Sequence, residues 1–387
     1  MSATRVGIAG LGTVGAEVAR LLLEGQGAVG EANLTLVAVT ARDRAKDRGV
    51  DLSGVDWEDS PASLAARDDL DIVVELVGGE DGAARECVEA ALAKGRRVVT
   101  ANKALREGLA ANRIERVSGI LNGTCNYILT RMEHEGLAFA DVLKDAQAQG
   151  YAEADPTADV GGWDAAHKLT LLAAIAFGRT PTLDGVGVEG IERVAAEDIA
   201  FAREMGLRVR LLGLAERAGG GIACSVEPCL VPMGAPLATI EGVTNAVSIE
   251  GEPVGTIVLV GPGAGGGATA SAVVADILDA ARGNAPPAFG TLAPPASPAG
   301  AEGRDGAFYL RLALEDRPGA LASVAEALGE EGVSIQRMRQ ADHTGPAAPV
   351  VIVTHGTSLA SLRAAVARID ALPVSLQPPV TMRLLEQ

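Results

Sequence analysis

Six residues near the start of the chain restrict its fold more than any others. Gly10-Leu11-Gly12-Thr13-Val14-Gly15 stands between an apolar run at 5–9 (RVGIA) and a helical stretch from Ala16 to Leu23. Glycine at the first position permits a tight turn. At the second it lets backbone approach a pyrophosphate, and at the third it lets the helix pack closely on the strand. The helix start behind the turn then offers free N–H groups to phosphate. Gly10, Gly12, Thr13, Val14 and Gly15 are therefore candidate dinucleotide contacts. The plainer reading is a glycine turn needed only for packing.

Strand and helix alternate from there. Residues 34–40 (LTLVAVT) and 72–76 read as strands, 84–94 as a helix and 97–100 as a further strand. That order predicts an α/β domain with a parallel, doubly wound sheet of Rossmann type over residues 1–104, completed by about 262–283, where 268–282 is strongly helical. A site for NAD usually places Asp or Glu at the end of the second strand. Here Thr40 is followed by Ala41-Arg42-Asp43-Arg44-Ala45-Lys46. A neutral end followed by cations suits a 2′-phosphate, so NADP is the expected cofactor and Arg42 its candidate contact. The segment also reads as a solvated charged loop, and Asp43 leaves NAD possible.

Residues 105–261 differ in pattern. Helices are predicted at 124–135, 139–149, 163–177 and 196–205, followed by strand-like segments at 207–215, 222–231, 243–250 and 254–260. This is an α+β region. Residues 284–304 are rich in Pro, Ala and Gly and read as a linker. The tail, 305–387, has the order βαββαβ, a ferredoxin-like arrangement, with a turn at Asp316-Arg317-Pro318-Gly319 and a helix from Pro318 to 329.

Charge narrows the function. A net charge of −17 argues against nucleic acid and anionic membranes as partners. No signal peptide is expected at the start, and no apolar run reaches the roughly 18 residues that span a bilayer. Cys87, Cys125, Cys224 and Cys229 lack metal-like spacing and read as reduced thiols in a cytoplasmic protein, with no metal site. A small molecule is the expected substrate.

Residues 150–168 read GYAEADPTADVGGWDAAHK. With a helix starting near Gly162, Asp164 and Lys168 form an i,i+4 pair on one face. Such a pair is either an ordinary ion pair, worth about 0.2–0.5 kcal/mol, or a carboxylate holding an ammonium beside a reacting carbonyl. Spacing alone leaves both open.

The segment resembles the signature of the homoserine dehydrogenase family, carried here by Gly150, Tyr151, Glu153, Asp155, Pro156, Asp159, Gly162, Asp164 and Lys168. Gly10–Gly15, Val99–Lys103 (VTANK), Gly119–Tyr127 (GILNGTCNY) and 263–276 agree with the same family, although Ala268 stands where it usually has Pro. The resemblance implies reduction of aspartate semialdehyde. Lys168 would give a proton to the aldehyde oxygen, and Lys103 would support the charge developing there. Glu153 and Asp164 would hold the substrate ammonium, with Asp159 as a supporting acid. Thr100, Asn102 and Lys103 would lie near the nicotinamide, and Asn122 and Tyr127 would shape the site. His134 and His167 read as surface or packing residues. The family also carries, after the VTANK strand, another α/β unit with an EAxVxGGIP-type loop and a sodium site. Here Lys103-Ala104 runs straight into Leu105, so that unit and the sodium site are expected to be absent, with Leu105–Arg113 a bare link between domains.

The tail resembles an ACT domain, a small-ligand sensor. Asp316, Pro318, Gly319, Ala320 and Leu321 are its expected effector contacts, and the resemblance implies threonine as effector and a homodimer or homotetramer. A dimerisation module that binds nothing is the alternative. Two other functions remain in view. One is a catalytically impaired homologue that keeps the cofactor fold and the sensor. The other is a different dehydrogenase on this fold, against which the 150–168 signature argues.

Overall fold

The computed structural model describes residues 3–77, 82–93, 97–98, 109, 111–180, 182–218, 221–283, 305–340, 345 and 347–385. The chain divides into two units, one of Met1–Glu107 with Ala264–Gly290 and one of Gly108–Gly263 with Thr291–Gln387.

The first unit holds strands β1 (Thr4–Ala9), β2 (Leu34–Thr40), β3 (Asp56–Trp57), β4 (Ile72–Glu75) and β5 (Arg97–Val98). They pair in parallel in the order β3-β2-β1-β4-β5. The apolar runs are continuous because both faces are covered. Val6, Ile8 and Val74 pack with Val18 and Leu22 of the Thr13–Glu24 helix and with Val273 and Ile277 of the Gly266–Ala281 helix. Ala9, Ala38 and Val73 pack with Leu64, Cys87 and Ala91 of the Pro61–Ala66 and Ala83–Ala93 helices. The doubly wound sheet is thus as the residues predict. The Pro61–Ala66 helix was not foreseen, although Ser60-Pro61-Ala62-Ser63 carries its signal: Ser60 accepts from the Ser63 amide and Ser63 returns the bond.

The second unit contains β6 (Arg113–Ile120), β7 (Gly187–Val188), β8 (Leu207–Ala218), β9 (Gly221–Pro232), β10 (Thr244–Glu252), β11 (Gly255–Pro262), β12 (Asp305–Gly306), β13 (Phe308–Glu315), β14 (Ile335–Gln340), β15 (Ala347–Thr354), β16 (Thr357–Ser358) and β17 (Ser375–Leu384). One sheet runs β11-β10-β6-β8-β9-β17-β13-β15-β14. Helices Gly123–Glu135 and Trp163–Phe177 pack on β6, β8 and β9. The tail has the expected βαββαβ order, and the helices Ala320–Glu330 and Leu359–Asp370 share its core with β13 and β15.

Three features depart from expectation. The supposed link ends in a strand, because Arg113 opens β6, which lies between β10 and β8. Its charged residues hide the pattern: Arg116 donates to Glu250 across β10 at 2.9 Å. The tail helix starts at Ala320, not Pro318, because the Ala320 amide closes a turn onto the Arg317 carbonyl and Gly319 caps the helix at φ +90°. The tail sheet is also continuous with the central one: β17 pairs in parallel with β9 through Arg383↔Cys229 and Leu384↔Leu230.

A buried polar cluster ties the tail to the rest of this unit. Asp198, fully buried, accepts from the Ala195 amide at 2.8 Å, the Tyr309 hydroxyl at 2.7 Å and Arg311 Nε at 2.7 Å. Burial and the Asp198 carboxylate push the Tyr309 phenol well above its ordinary value, so it stays a donor. Removing the acid strands the guanidinium and the hydroxyl together. Asp198→Ala is expected to lower unfolding free energy by about 3–5 kcal/mol; a urea melt within about 1 kcal/mol of the parent would contradict this.

Candidate active site

In the first unit the glycine turn has the geometry that its residues require. Gly10 sits at φ +97°, and a Cβ there would lie 2.5 Å from the Leu76 carbonyl oxygen. A Cβ on Gly15 would lie 1.9 Å from the Gly10 carbonyl oxygen. Gly12 caps the Thr13–Glu24 helix without any side-chain cap and faces open space. The amides at this helix start are therefore free to meet an anion. The cleft in front of the turn is lined by Gly12, Thr13, Lys46 and Arg48, with Asp47 and an Arg20 that Glu17 and Glu24 hold; the free amides and Lys46 are the groups that fit a phosphate.

Arg42 is exposed on the loop after β2. Arg44 is taken up by Asp59 at 2.7 Å and lies over the Trp57 ring. Arg48 was missed by the sequence reading. Its Nε donates to the Leu11 carbonyl at 3.0 Å, and it stacks on Trp57 with its guanidinium carbon 5.7 Å from the ring centre. Spacing could not reveal this, because the two residues are 37 apart. Thr100, Asn102 and Lys103 lie outside the described residues, as does the junction after Lys103.

In the second unit Asp159, Asp164 and Lys168 come together. The Lys168 ammonium donates to Asp164 Oδ2 at 2.8 Å and to the Leu121 carbonyl at 3.2 Å. Asn122 Nδ2 donates to Asp159 Oδ1 at 2.7 Å and to the same Asp164 Oδ2 at 2.9 Å. Asn122 Oδ1 accepts the Cys125 amide at 2.8 Å, which caps the Gly123–Glu135 helix. Asn245, also unforeseen, donates to the Leu121 carbonyl at 3.2 Å, so that oxygen is shared with Lys168. Cys125 donates to the Asp159 carbonyl, and burial together with Asp159, Asp164 and Glu192 pushes its thiol well above the usual range. It is a packing thiol.

Glu153 is exposed, and the contact described for it is its backbone oxygen accepting from Gln147 at 3.0 Å. Its carboxylate is not part of the cluster. Tyr127 stacks obliquely on Tyr151, with ring centres 4.8 Å apart. His167 is exposed, and His134 meets Glu241 at 3.3 Å on the surface. In the tail, Asp316, Pro318, Gly319, Ala320 and Leu321 line one cavity of about 290 Å³ with Gln340 and Val350. Among the described residues, no helix is long and apolar enough to cross a membrane, and no cluster of His, Cys, Asp and Glu could hold a metal ion.

A glycine-turn dinucleotide fold, a separate unit carrying a carboxylate–lysine pair, and a ferredoxin-like tail define the class: a nicotinamide-dependent oxidoreductase acting on a CH–OH group, with an appended ACT domain. The chain belongs to the homoserine dehydrogenase family. The family's catalytic region matches residues 101–278, its NAD-binding domain 10–112, and an ACT domain 308–374. The chain is 38% identical to the homoserine dehydrogenase of Neisseria gonorrhoeae, covering 100% of this chain and 99% of that protein, and 37% identical to that of Pseudomonas aeruginosa, covering 99% of each. The crystal structure of a homoserine dehydrogenase from Thiobacillus denitrificans superposes with a TM-score of 0.92 at 38% identity, covering 100% of this chain and 99% of that one. A hyperthermophilic archaeal homoserine dehydrogenase mutant in complex with NADPH matches 73% of this chain and 98% of its own, with a TM-score of 0.59 at 26% identity. The Neisseria alignment runs over 436 positions although this chain has 387 residues, so part of that relative has no counterpart here.

The Gly15 contact gives a direct check of the cofactor turn. Gly15→Ala is expected to weaken NADPH binding roughly tenfold or more, because the turn must open to admit the methyl group. Fluorescence titration with NADPH reads this, and unchanged affinity would contradict the described turn.

Proposed function

We propose that the Asp164–Lys168 pair is the proton-transfer centre for reduction of L-aspartate 4-semialdehyde to L-homoserine. The observation that carries this reading is the Lys168 ammonium. Two of its three N–H bonds go to Asp164 and Leu121, and its side chain is still 46% exposed, so one N–H is left for a substrate oxygen. The bound dinucleotide supplies the hydride. As the carbonyl gains electrons its oxygen becomes negative, and Lys168 gives that oxygen a proton. The interaction strengthens as charge grows, which is the condition for catalysis. Asp164 would hold the substrate ammonium, with Asp159 as a supporting acid. Lys103 would assist at the oxygen, and Thr100 and Asn102 would sit beside the nicotinamide.

NADPH is the proposed cofactor, supported by the neutral Thr40 end and by the cationic Arg42, Lys46 and Arg48 beyond it. The family sodium site is proposed to be absent, because Lys103-Ala104 runs straight into Leu105. The proposed division is 1–104 with 262–283 for the dinucleotide, 105–261 for substrate and dimerisation, 284–304 as linker and 305–387 as sensor. A cytoplasmic homodimer or homotetramer is part of the same reading.

Lys168→Ala is expected to lower kcat by about 10²–10⁴-fold with little change in cofactor affinity. The parent should favour NADPH over NADH and turn over equally in sodium and potassium chloride. Near-normal kcat in the variant would remove the proton-donor role, and a clear NADH preference would remove the cofactor assignment.

The cavity at Asp316–Leu321 is proposed to take an amino acid, threonine by family resemblance. Gly319 caps the Ala320–Glu330 helix without a side chain, which leaves amides for a carboxylate. Calorimetry of threonine into the full chain should show saturable heat. Absence of heat would leave the tail as an assembly module.

A further inference from the structure

The cluster around Lys168 has a centre that does not itself ionise. Asn122 is 5% exposed, and all of its carboxamide is engaged. The Cys125 amide occupies Oδ1 at 2.8 Å, so the group cannot turn over without losing the helix cap. Its orientation is therefore set by the backbone. With Oδ1 committed, Nδ2 has two N–H bonds to give, and two carboxylates receive them: Asp159 at 2.7 Å and Asp164 at 2.9 Å. The Asp164 oxygen that takes this bond also takes the Lys168 ammonium at 2.8 Å. Like charges repel at this range unless donors lie between them. Asn122 supplies those donors without adding charge.

We propose that Asn122 is a positioning residue, which holds Asp159 and Asp164 at a set separation and, through Asp164, aims the Lys168 ammonium at the reacting oxygen. The proposal rests on Lys168 as proton donor. Its distinct content is that the donor side of the Asn122 carboxamide matters, and not only the cap that its oxygen provides.

Two substitutions separate those roles. Ser and Asp both cap helices about as well as Asn. Asn122→Ser keeps an acceptor for the Cys125 amide but loses the two-donor clamp. Asn122→Asp keeps the cap and puts a third carboxylate beside Asp159 and Asp164. On the full chain, both should melt close to the parent and bind NADPH normally, while kcat falls roughly 10- to 100-fold, the range expected for a misaimed group. A double-mutant cycle with Asp164→Asn tests the route. If Asn122 acts through Asp164, the double variant loses little more than Asp164→Asn alone. Independent, multiplying losses would overturn the proposal.

A second readout needs no turnover. The lysines of the chain are Lys46, Lys94, Lys103, Lys144 and Lys168, few enough for carbon-13 lysine NMR, with Lys168→Ala assigning its signal. Asn122→Ser and Asn122→Asp should each shift the Lys168 signal, since both change what the Asp164 oxygen that holds the ammonium accepts. An unmoved Lys168 signal together with kcat within twofold in both variants would overturn the role of Asn122 while leaving Lys168 as donor. Full turnover in Lys168→Ala would instead remove the donor reading and this proposal with it.

Discussion

The first backbone N–H groups of every helix lack partners within the helix, and what meets them shapes each functional region here. At Gly12 and Gly319 the capping residue has no side chain, so the amides of Thr13–Glu24 and Ala320–Glu330 lack a side-chain cap. Those are the places proposed for a dinucleotide phosphate and an effector carboxylate. At Asn122 the side chain meets the Cys125 amide instead. The helix start is then closed to anions, and the carboxamide nitrogen is directed to Asp159 and Asp164. One backbone requirement, met by glycine or by asparagine, yields either an anion cradle or a carboxylate clamp.

The second unit depends equally on how its sheet edges are met. An unpaired edge exposes a row of donors and acceptors. The tail covers one such edge by laying β17 beside β9, and the Leu385 amide extends the pairing onto Leu230 at 2.9 Å. Only two residue pairs define that register, so side chains carry much of the join. Asp198 with Tyr309 and Arg311 lies inside it, and Arg383 reaches Glu216 at 2.9 Å. β9 also packs against the helix that carries Lys168. The turn at Asp316 directly follows β13, which lies in the same sheet as the strands that support the helix carrying Lys168.

What the sequence by itself determined are the features whose partners are close along the chain. The glycine turn was legible because Gly10, Gly12 and Gly15 act on a strand and helix directly beside them. Asp164 and Lys168 were legible as a pair because helical geometry brings i and i+4 together. The βαββαβ order of the tail followed from short periodic segments. Only the tertiary structure decided the rest. Asn122 reaches acids 37 and 42 residues away, and Arg48 reaches a carbonyl 37 residues back. β6 looks polar until Arg116 meets Glu250, 134 residues on. Glu153, set beside its companions by the motif, stays outside the cluster because its exposed loop directs only its backbone to Gln147. Local periodicity specifies backbone conformation, whereas hydrogen bonds between distant segments depend on where packing brings them, and no short window of sequence contains that distance.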